Sequence, residues 1–248
     1  MYQKERLDLI LAILHEQQYA TVSDLTERLH YSTATVNRDL NVLQAQMLVK
    51  RTYGGVELLH KRGVPLPFRY HVMRPEKNKI ARAAASLVRN GDCIFIDAST
   101  TTQAMGHFLS EKRELTVITH NMALAVQMSE MGHKVLCLGG AILEPPCMLC
   151  SEETVELARR YRADRLFFSV GYVDETGRIG GGGYDTLHRA MADNSKEIYL
   201  LVDRDKVNGE HLPSRYLFDF SRLTGVISDH EFREETKKAF PHVRFIKA

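Results

Sequence analysis

Hydrophobic residues in the first sixty positions recur at helical spacing in three separate stretches. Leucines and isoleucines in the stretch 7–14 lie three and four positions apart, which predicts a helix with one apolar face. A second helix is predicted from about Thr21. A third begins at a cap formed by Ser32 or Thr33 and runs to about Ala45. The pattern therefore predicts a small helical module at the start of the chain.

The third predicted helix has an apolar face and a polar face. Val36, Leu40 and Leu43 point to the module interior. Its first turns then present hydroxyl, amide and guanidinium groups, and these come from Ser32, Thr33, Thr35, Asn37 and Arg38. Such groups on a helix that follows a tight turn are what reading the major groove of DNA requires.

A β-hairpin is predicted directly after this helix. Residues 48–53 and 56–59 read as its strands, and Gly54-Gly55 supply the positive φ of a tight turn. The hairpin resembles a wing whose contacts with DNA phosphates would come from Lys50, Arg51, Tyr53 and Gly54. A three-helix protein-interaction module is the alternative, but the order of helix, turn, polar helix and basic hairpin favours DNA binding.

Beyond residue 75, short apolar runs alternate with helical patterns. The runs are 93–96, 115–118, 134–138, 166–170 and 198–202. Nearly continuous apolar strands separated by helices are typical of a parallel sheet covered on both faces. The predicted fold class is therefore α/β, with an N-terminal winged helix-turn-helix followed by a larger α/β domain with a mainly parallel sheet.

A change in organisation marks the boundary between the two parts. Gly63, Pro65, Pro67 and Pro75 interrupt regular structure, because proline lacks an amide donor and fixes φ. We therefore expect a winged helix-turn-helix DNA-binding domain over 1–60, a linker over 61–76 and an effector-sensing α/β domain over 77–248.

Polar residues and glycines gather where the predicted strands end. In a parallel sheet these ends share one edge, where ligands bind. The candidate effector-binding residues are Asp97, Ser99, Thr100, Thr101, Thr102, Asn121, Gly139, Gly140 and Lys206. A helix predicted from about Gln103 would place the hydroxyls at its amino terminus, where anions bind. Each feature alone could be a helix cap or a turn, but several at one edge favour a phosphorylated polar ligand.

Composition and charge exclude some classes of protein. The 248 residues are 44% hydrophobic and 26% charged, as in ordinary globular proteins rather than disordered ones. The net charge of +2 hides nine basic against two acidic residues between Lys50 and Arg82. An anionic partner is plausible there, although charge alone favours a solvated linker.

Other sequence features bear on location and cofactors. We expect a cytoplasmic protein with no membrane partner, because no run is long and apolar enough for a span and no apolar signal region opens the chain. The four cysteines should then be thiols. Cys147 and Cys150 have the spacing of metal ligands, but a lone pair is weak evidence, so we expect neither metal nor cofactor.

Several motifs resemble those of the DeoR family of bacterial transcriptional regulators. The stretch 32–40 and the hairpin 48–56 are similar to the family's helix-turn-helix and wing. Two positions differ: Asn37 stands where the family usually has arginine, and Tyr53 stands where it often has histidine. In the second domain, the stretch 97–102, Leu138-Gly139-Gly140 and the stretch 203–206 are similar to family motifs. A stretch around the four glycines 180–183 departs from the family pattern.

The resemblance implies a function. Family members have a sensor domain related in fold to sugar-phosphate isomerases, and they respond to phosphorylated sugars or related metabolites. The chain is thus expected to be a repressor of carbohydrate-metabolism genes that binds double-stranded operator DNA as a homo-oligomer and is relieved by such an anionic metabolite. The resemblance also implies which residues contact the ligand. Its phosphate would be contacted by Thr100, Thr101, Thr102 and Lys206, and its hydroxyl groups by Asp97 and Asn121.

Two other functions stay open from the sequence. The first is a sugar-phosphate isomerase or hydrolase with an appended DNA-binding module, for which Asp97 and Asp185 are the candidate acid-base residues. The second is an adaptor module that binds no DNA. Retention of a promoter fragment and turnover of sugar phosphates separate these alternatives, and we favour the regulator, without catalytic residues.

Overall fold

The computed structural model describes residues 3–46, 48–59, 74–144, 148–181, 184–209 and 215–248. The chain folds as two compact units, Met1–Arg74 and Pro75–Ala248. The boundary between them falls inside the predicted linker, of which residues 61–73 lie outside the described residues.

The first unit contains three helices and a small antiparallel sheet. Its elements are α1 (Gln3–Gln17), β1 (Tyr19–Thr21), α2 (Val22–Leu29), α3 (Thr33–Ala45), β2 (Val49–Thr52) and β3 (Gly55–Leu58). The strands are ordered β1-β3-β2, with Lys50 opposite Glu57 in the hairpin. The sequence does not predict strand β1, because three residues are too few to show an alternating pattern.

The core of this unit uses the apolar positions that the helical spacing singled out. Ile10, Leu14, Leu25 and Leu40 are fully buried, and Leu48 joins them from the start of the hairpin. The turn between α2 and α3 is short because His30 adopts a left-handed conformation, with φ of 55°, and ends α2. A tight turn between two packed helices followed by a hairpin is a winged helix-turn-helix.

The second unit alternates strands and helices. Its helices are α4 (Arg74–Ser86), α5 (Thr100–Gln103), α6 (Met122–Glu130), α7 (Glu152–Arg160), α8 (Asp185–Asp193) and α9 (Glu234–Ala239). Its strands are β4 (Cys93–Ile96), β5 (Thr116–Thr119), β6 (Lys134–Cys137), β7 (Ile142–Glu144), β8 (Met148–Leu149), β9 (Ala163–Phe168), β10 (Arg178–Gly180), β11 (Ser195–Val202), β12 (Tyr216–Asp219), β13 (Gly225–Ser228) and β14 (Arg244–Lys247). Short 3₁₀ segments cover Ala104–Phe108, Arg204–Lys206 and Phe220–Arg222.

Seven of the described strands form a parallel sheet in the order β14-β13-β11-β9-β4-β5-β6. From β4 the chain adds β5 and β6 on one side, and from β9 it adds strands on the other. The order therefore reverses between β4 and β9. In open α/β sheets, ligands bind outside the carboxyl ends of the strands at such a reversal.

Helices cover both faces of this sheet. On one face, Ile80 of α4 and Leu124 of α6 pack with Ile94 and Val117 of the strands. On the other face, residues of α7 and α8 pack against Phe95, Leu166 and Leu200. The predicted fold class, a winged helix-turn-helix followed by an α/β domain with a mainly parallel sheet, is confirmed.

Candidate DNA interface and effector site

Ser32 caps helix α3 and orients its first turn. Its Oγ accepts from the backbone N–H of Thr35 at 3.3 Å and lies 3.0 Å from Thr35 Oγ1. Ser32, Thr33 and Arg38 are exposed, whereas Thr35 and Asn37 are half-buried. The first two turns of α3 therefore present hydroxyl and guanidinium groups to solvent.

The opposite face of α3 fixes its position in the first unit. Val36 and Leu40 are buried, and Asp39 lies beside them at 1% exposure. Arg6 of α1 donates to both carboxylate oxygens of Asp39, from Nε at 2.7 Å and from Nη2 at 3.1 Å. Its guanidinium also lies over the ring of Tyr31. This buried ion pair ties α3 to α1, so the polar face of α3 is held rigidly outward.

The hairpin presents its polar residues in different ways. Lys50 is exposed and forms an ion pair with Glu57 at 3.1 Å. Tyr53 is fully exposed at the tip, next to Gly54, whose φ of 79° favours glycine. Arg51 is half-buried, and its Nη2 donates to Oδ1 of Asn37 at 2.7 Å. A hydrogen bond thus joins the wing to α3.

In the second unit, Asp97 and Ser169 meet at the reversal of strand order. Asp97 follows β4, Ser169 follows β9, and the Ser169 backbone N–H donates to Asp97 Oδ2 at 3.0 Å. Both residues are buried. The Asp97 carboxylate therefore links the loops that follow β4 and β9.

Every described contact of the Asp97 carboxylate comes from a donor group. Oδ1 accepts from the backbone N–H of Ser99 at 3.1 Å and from the Thr102 hydroxyl, and Oδ2 lies 3.2 Å from His188 Nε2. Burial by itself raises the pKa of Asp97, but the hydrogen bonds from His188, Ser169 and Thr102 outweigh it and hold that pKa below its ordinary value. Asp97 is thus a structural anion in this state.

Lys206 reaches into the same edge from the 3₁₀ segment after β11. Its Nζ lies 2.9 Å from Ser169 Oγ, 3.2 Å from Thr101 Oγ1 and 3.2 Å from Asp203 Oδ2. The side chain is 14% exposed and Asp203 is buried. The structure therefore brings together an ammonium group and two hydroxyls from three adjacent strand ends.

The run of hydroxyl residues after Asp97 lies differently from the prediction. Helix α5 starts at Thr100 rather than near Gln103, because Ser99 Oγ accepts from the Thr102 N–H at 3.1 Å and caps it. Thr100, Thr101 and Thr102 are buried, and the Thr102 hydroxyl is used by Asp97. Of the four hydroxyl residues from 99 to 102, Thr101 is the one that contacts Lys206.

Asn121 and His120 follow β5 and are also buried. Asn121 caps α6, since its Oδ1 accepts from Leu124 N–H at 3.1 Å, and its Nδ2 donates to Gln103 Oε1 at 2.6 Å. His120 Nε2 accepts from the backbone N–H of Ala98 at 3.3 Å. Burial lowers the pKa of His120 to about 4, with the nearby Asp97 opposing and His188 adding to this shift.

The predicted glycine pair after β6 splits into two roles. A Cβ on Gly140 would lie 2.1 Å from Thr154 Oγ1 and 2.7 Å from Ser151 Oγ, so this glycine permits close approach of the start of α7. Its φ of 140° also favours glycine. Gly139 has open space around its Cα, and its carbonyl accepts from Thr154 Oγ1 at 2.6 Å. Gly182 and Gly183 of the glycine-rich stretch lie outside the described residues.

Four residues at this edge are not predicted as site residues by the sequence. They are His120, Ser169, His188 and Asp203. Ser169, His120 and Asp203 each follow a strand, and this position is the signal that could have identified them. His188 lies on α8, far along the chain from its partner Asp97, and helical spacing alone gives no sign of that contact.

The described residues contain neither a metal cluster nor a membrane-spanning helix. Among them, no three histidine, cysteine or acidic side chains are grouped as a metal ion would need. Cys150 is half-buried with a free thiol, and Cys147 lies outside the described residues. In the same part of the chain, no helix combines the length and apolar character needed to cross a membrane.

Two family models match the chain. One, described as the DeoR-like helix-turn-helix domain, matches residues 6–62, and the other, the DeoR C terminal sensor domain, matches residues 73–230. The first match contains α3 and the hairpin. The second contains the strand ends that surround Asp97 and Lys206.

Curated relatives extend over most of the chain. The glycerol-3-phosphate regulon repressor of Escherichia coli (strain K12) is 29% identical over 83% of this chain and 83% of its own length. The HTH-type transcriptional repressor GlcR of Bacillus subtilis (strain 168) is 33% identical over 84% of this chain and 81% of its own. Among solved structures, ribose 5-phosphate isomerase A from Neisseria gonorrhoeae matches 54% of this chain and 53% of its own at 14% identity, with a TM-score of 0.40.

Proposed function

The chain belongs to the DeoR family of transcriptional regulators, and on that premise we propose that it represses genes of carbohydrate metabolism until a phosphorylated sugar binds. The first unit would hold double-stranded operator DNA, and the second would sense the metabolite. Such a protein would act in the cytoplasm, where the DNA lies. The names of two repressor relatives support this direction, since one concerns a glycerol-3-phosphate regulon.

The proposal for DNA binding is carried by the joined polar surface of α3 and the wing. Thr33 and Arg38 lie exposed in the first two turns of α3, and Lys50 and Tyr53 lie exposed on the hairpin. Helix side chains would reach base edges in the major groove, while Lys50 of the wing would contact a flanking phosphate. The buried ion pair of Arg6 and Asp39 supports this role, because it fixes the orientation of α3 through the buried face, opposite the polar side chains.

A titration of DNA at several salt concentrations tests this proposal. Replacing Arg38→Ala should weaken binding to a promoter fragment about tenfold, the cost of one charge-assisted contact. Replacing Arg159→Ala makes the same change of charge at an exposed site on α7, outside the first unit, and should leave affinity unchanged. Equal affinity of the Arg38→Ala variant and the wild type, or binding that does not depend on salt, would contradict the assignment.

The effector proposal is carried by Lys206 at the reversal of strand order. Its ammonium lies among Thr101, Ser169 and Asp203, and a phosphate oxygen that entered there would be a stronger partner for it than a neutral hydroxyl. The predicted residues Ser99, Thr100, Thr102, Gly139 and Gly140 border the same edge. Asp97 and Asn121 would bind sugar hydroxyls only after exchanging the protein contacts that they make here.

Release of DNA requires that the metabolite bind one arrangement of the protein more tightly than another, since equal affinity would shift nothing. We assign transmission to the linker 61–76 and to contacts between subunits. A winged module reads a half-site, so two-fold related copies would read a symmetric operator, and we propose a homo-oligomer. A thermal-shift screen of phosphorylated sugars, with hits retested for DNA retention, tests the sensor.

We also propose that the second unit senses its ligand without converting it. Proton abstraction needs a base whose pKa is near the working pH, and the lowered pKa of Asp97 makes it a weak base. Both of its oxygens also accept hydrogen bonds. Incubating the protein with pentose and hexose phosphates should leave them unchanged. Turnover would favour the isomerase alternative.

A further inference from the structure

We propose that Asn37 and Arg51 act as one unit that selects the base read by helix α3, and that this unit prefers guanine to adenine. The inference rests on the proposed DNA-binding function and specifies its sequence preference. It follows from the 2.7 Å hydrogen bond between Arg51 Nη2 and Asn37 Oδ1, which joins the wing to the helix.

The hydrogen bond fixes which way the asparagine amide faces. A guanidinium group carries only donors, so the atom that it contacts must be the amide oxygen. The amide nitrogen of Asn37, with two N–H donors, is then the end of the side chain that remains for another partner. The wing therefore decides which chemical groups α3 presents at position 37.

The position of Asn37 on the helix suits a base contact. It lies one turn after Thr33, on the same face of α3, while Val36 and Leu40 face the core. Asn37 and Arg51 are both half-buried, so their side chains are partly ordered by packing before any DNA binds. A side chain held in place loses less freedom on binding and discriminates more sharply.

The chemistry of the bases sets the preference. Adenine presents an acceptor and an amino donor in the major groove, so an asparagine reads it with its nitrogen and its oxygen together. Here the guanidinium charge beside Asn37 Oδ1 disfavours a base amino group at that oxygen. Guanine presents two acceptors, N7 and O6, which match the N–H groups of Asn37 and Arg51. Cytosine presents a donor, and thymine presents one acceptor, so guanine is the best match.

Lys50 provides a matched contrast on the same strand. Its ammonium pairs with Glu57 within the hairpin, and its side chain is 64% exposed. Because no described hydrogen bond links Lys50 to α3, its contribution to DNA binding should be to phosphate and should not depend on base sequence.

The test is selection of bound duplexes from a randomised library, followed by sequencing, with the full-length protein at one salt concentration. The variants are Asn37→Ala, Asn37→Asp, Arg51→Ala and Lys50→Ala. Wild type should enrich guanine about tenfold over adenine at one position of each half-site. Asn37→Ala should lose that preference. Asn37→Asp keeps an oxygen for Arg51 but removes the two N–H donors, so it should lose the preference as well. This second variant keeps the test valid if Asn37→Ala fails to fold.

Arg51→Ala gives the sharpest outcome. Without the guanidinium, Asn37 Oδ1 can accept from an adenine amino group, so the same position should change from guanine to adenine. Lys50→Ala should bind more weakly but enrich the same sequences as wild type. An unchanged preference in Arg51→Ala, or adenine at that position in wild type, would overturn this inference while DNA binding stood. Failure of the wild type to enrich any duplex would instead overturn the proposed function and this inference with it.

Discussion

His188 Nε2 lies 3.2 Å from Asp97 Oδ2, although 91 positions separate the two residues in the chain. The contact joins helix α8 to the loop after β4. The same carboxylate accepts from backbone N–H groups of Ser99 and Ser169, so it links the loops after β4 and β9 to one another. Asp97 is therefore the centre of the polar network at the candidate effector site.

Replacing Asp97→Ala should lower the free energy of unfolding by about 3 kcal/mol, because it leaves several buried donors without an acceptor. The chain has no tryptophan, so unfolding in urea is best followed by circular dichroism. Asp193→Ala removes a carboxylate that is 61% exposed and paired with Arg222, and it should cost less than about 0.5 kcal/mol. Similar losses in the two variants would refute the central role of Asp97.

The pH dependence of stability should carry a contribution from His120. Its pKa is lowered to about 4 from an ordinary 6.5, so between these values the unfolded chain binds a proton that the folded chain does not. Stability should therefore rise with pH across that window, by up to about 3 kcal/mol, and level off above it. Urea unfolding from pH 4 to 7.5, compared between wild type and His120→Gln, isolates this contribution. Equal slopes for the two proteins would show that His120 does not titrate this way.

The sequence predicts those parts of the fold that have a long or repeated pattern. The apolar runs around β4 and β11 predict parallel strands because a strand covered on both faces is continuously apolar. Strand β14, at the sheet edge, escapes prediction because its residues Arg244–Lys247 mix charged and apolar side chains. Strand β13 (Gly225–Ser228) also escapes prediction although it is buried, because its four residues include a glycine and a serine and so form no apolar run. Local pattern thus identifies long apolar runs, including that of the edge strand β6, and misses strands of short or mixed composition.

The candidate effector site is predictable in position but not in its contacts. The rule for strand ends locates Asp97 and Lys206 at one edge from the sequence alone. Their partners could not be predicted, because contacts such as His188 with Asp97 depend on how helices pack across the sheet. The same is true of Arg51 and Asn37, whose hydrogen bond depends on the packing of the hairpin against α3.

Binding of a phosphorylated ligand should depend on Lys206 far more than on another lysine of the same strand region. Lys206→Gln should weaken binding of a hit from the sugar-phosphate screen by tenfold or more, since a charge-assisted hydrogen bond to phosphate contributes about 1.5–3 kcal/mol. Lys196→Gln removes a lysine that is 78% exposed near the amino end of β11, and it should bind as wild type does. Isothermal titration calorimetry measures both. Equal affinities for the two variants would place the ligand elsewhere.

The segment that carries Lys206 is also tied to the start of helix α4. Arg204 Nη2 donates to Glu76 Oε1 at 3.0 Å, and the Arg204 backbone N–H donates to Asp229 Oδ1 at 2.7 Å. Glu76 lies in the first turn of α4, at the end of the predicted linker. A ligand that draws Lys206 toward itself would move Arg204 in the same 3₁₀ segment. This movement would strain the ion pair between Arg204 and Glu76.

Breaking this pair should weaken the coupling between ligand and DNA without removing either binding activity. The Glu76→Gln variant should bind the ligand alone and DNA alone with wild-type affinity. The factor by which the ligand reduces DNA affinity should nevertheless be smaller than in wild type, by up to about fivefold. The limit follows from exposure, because an ion pair whose arginine is 57% exposed contributes at most about 1 kcal/mol. Asp193→Asn breaks another exposed arginine pair, the one with Arg222, which includes no residue of the 204–206 segment or of α4, and it should leave the coupling intact. DNA titrations with and without saturating ligand measure the coupling factor for each protein, and a wild-type factor in Glu76→Gln would exclude this route.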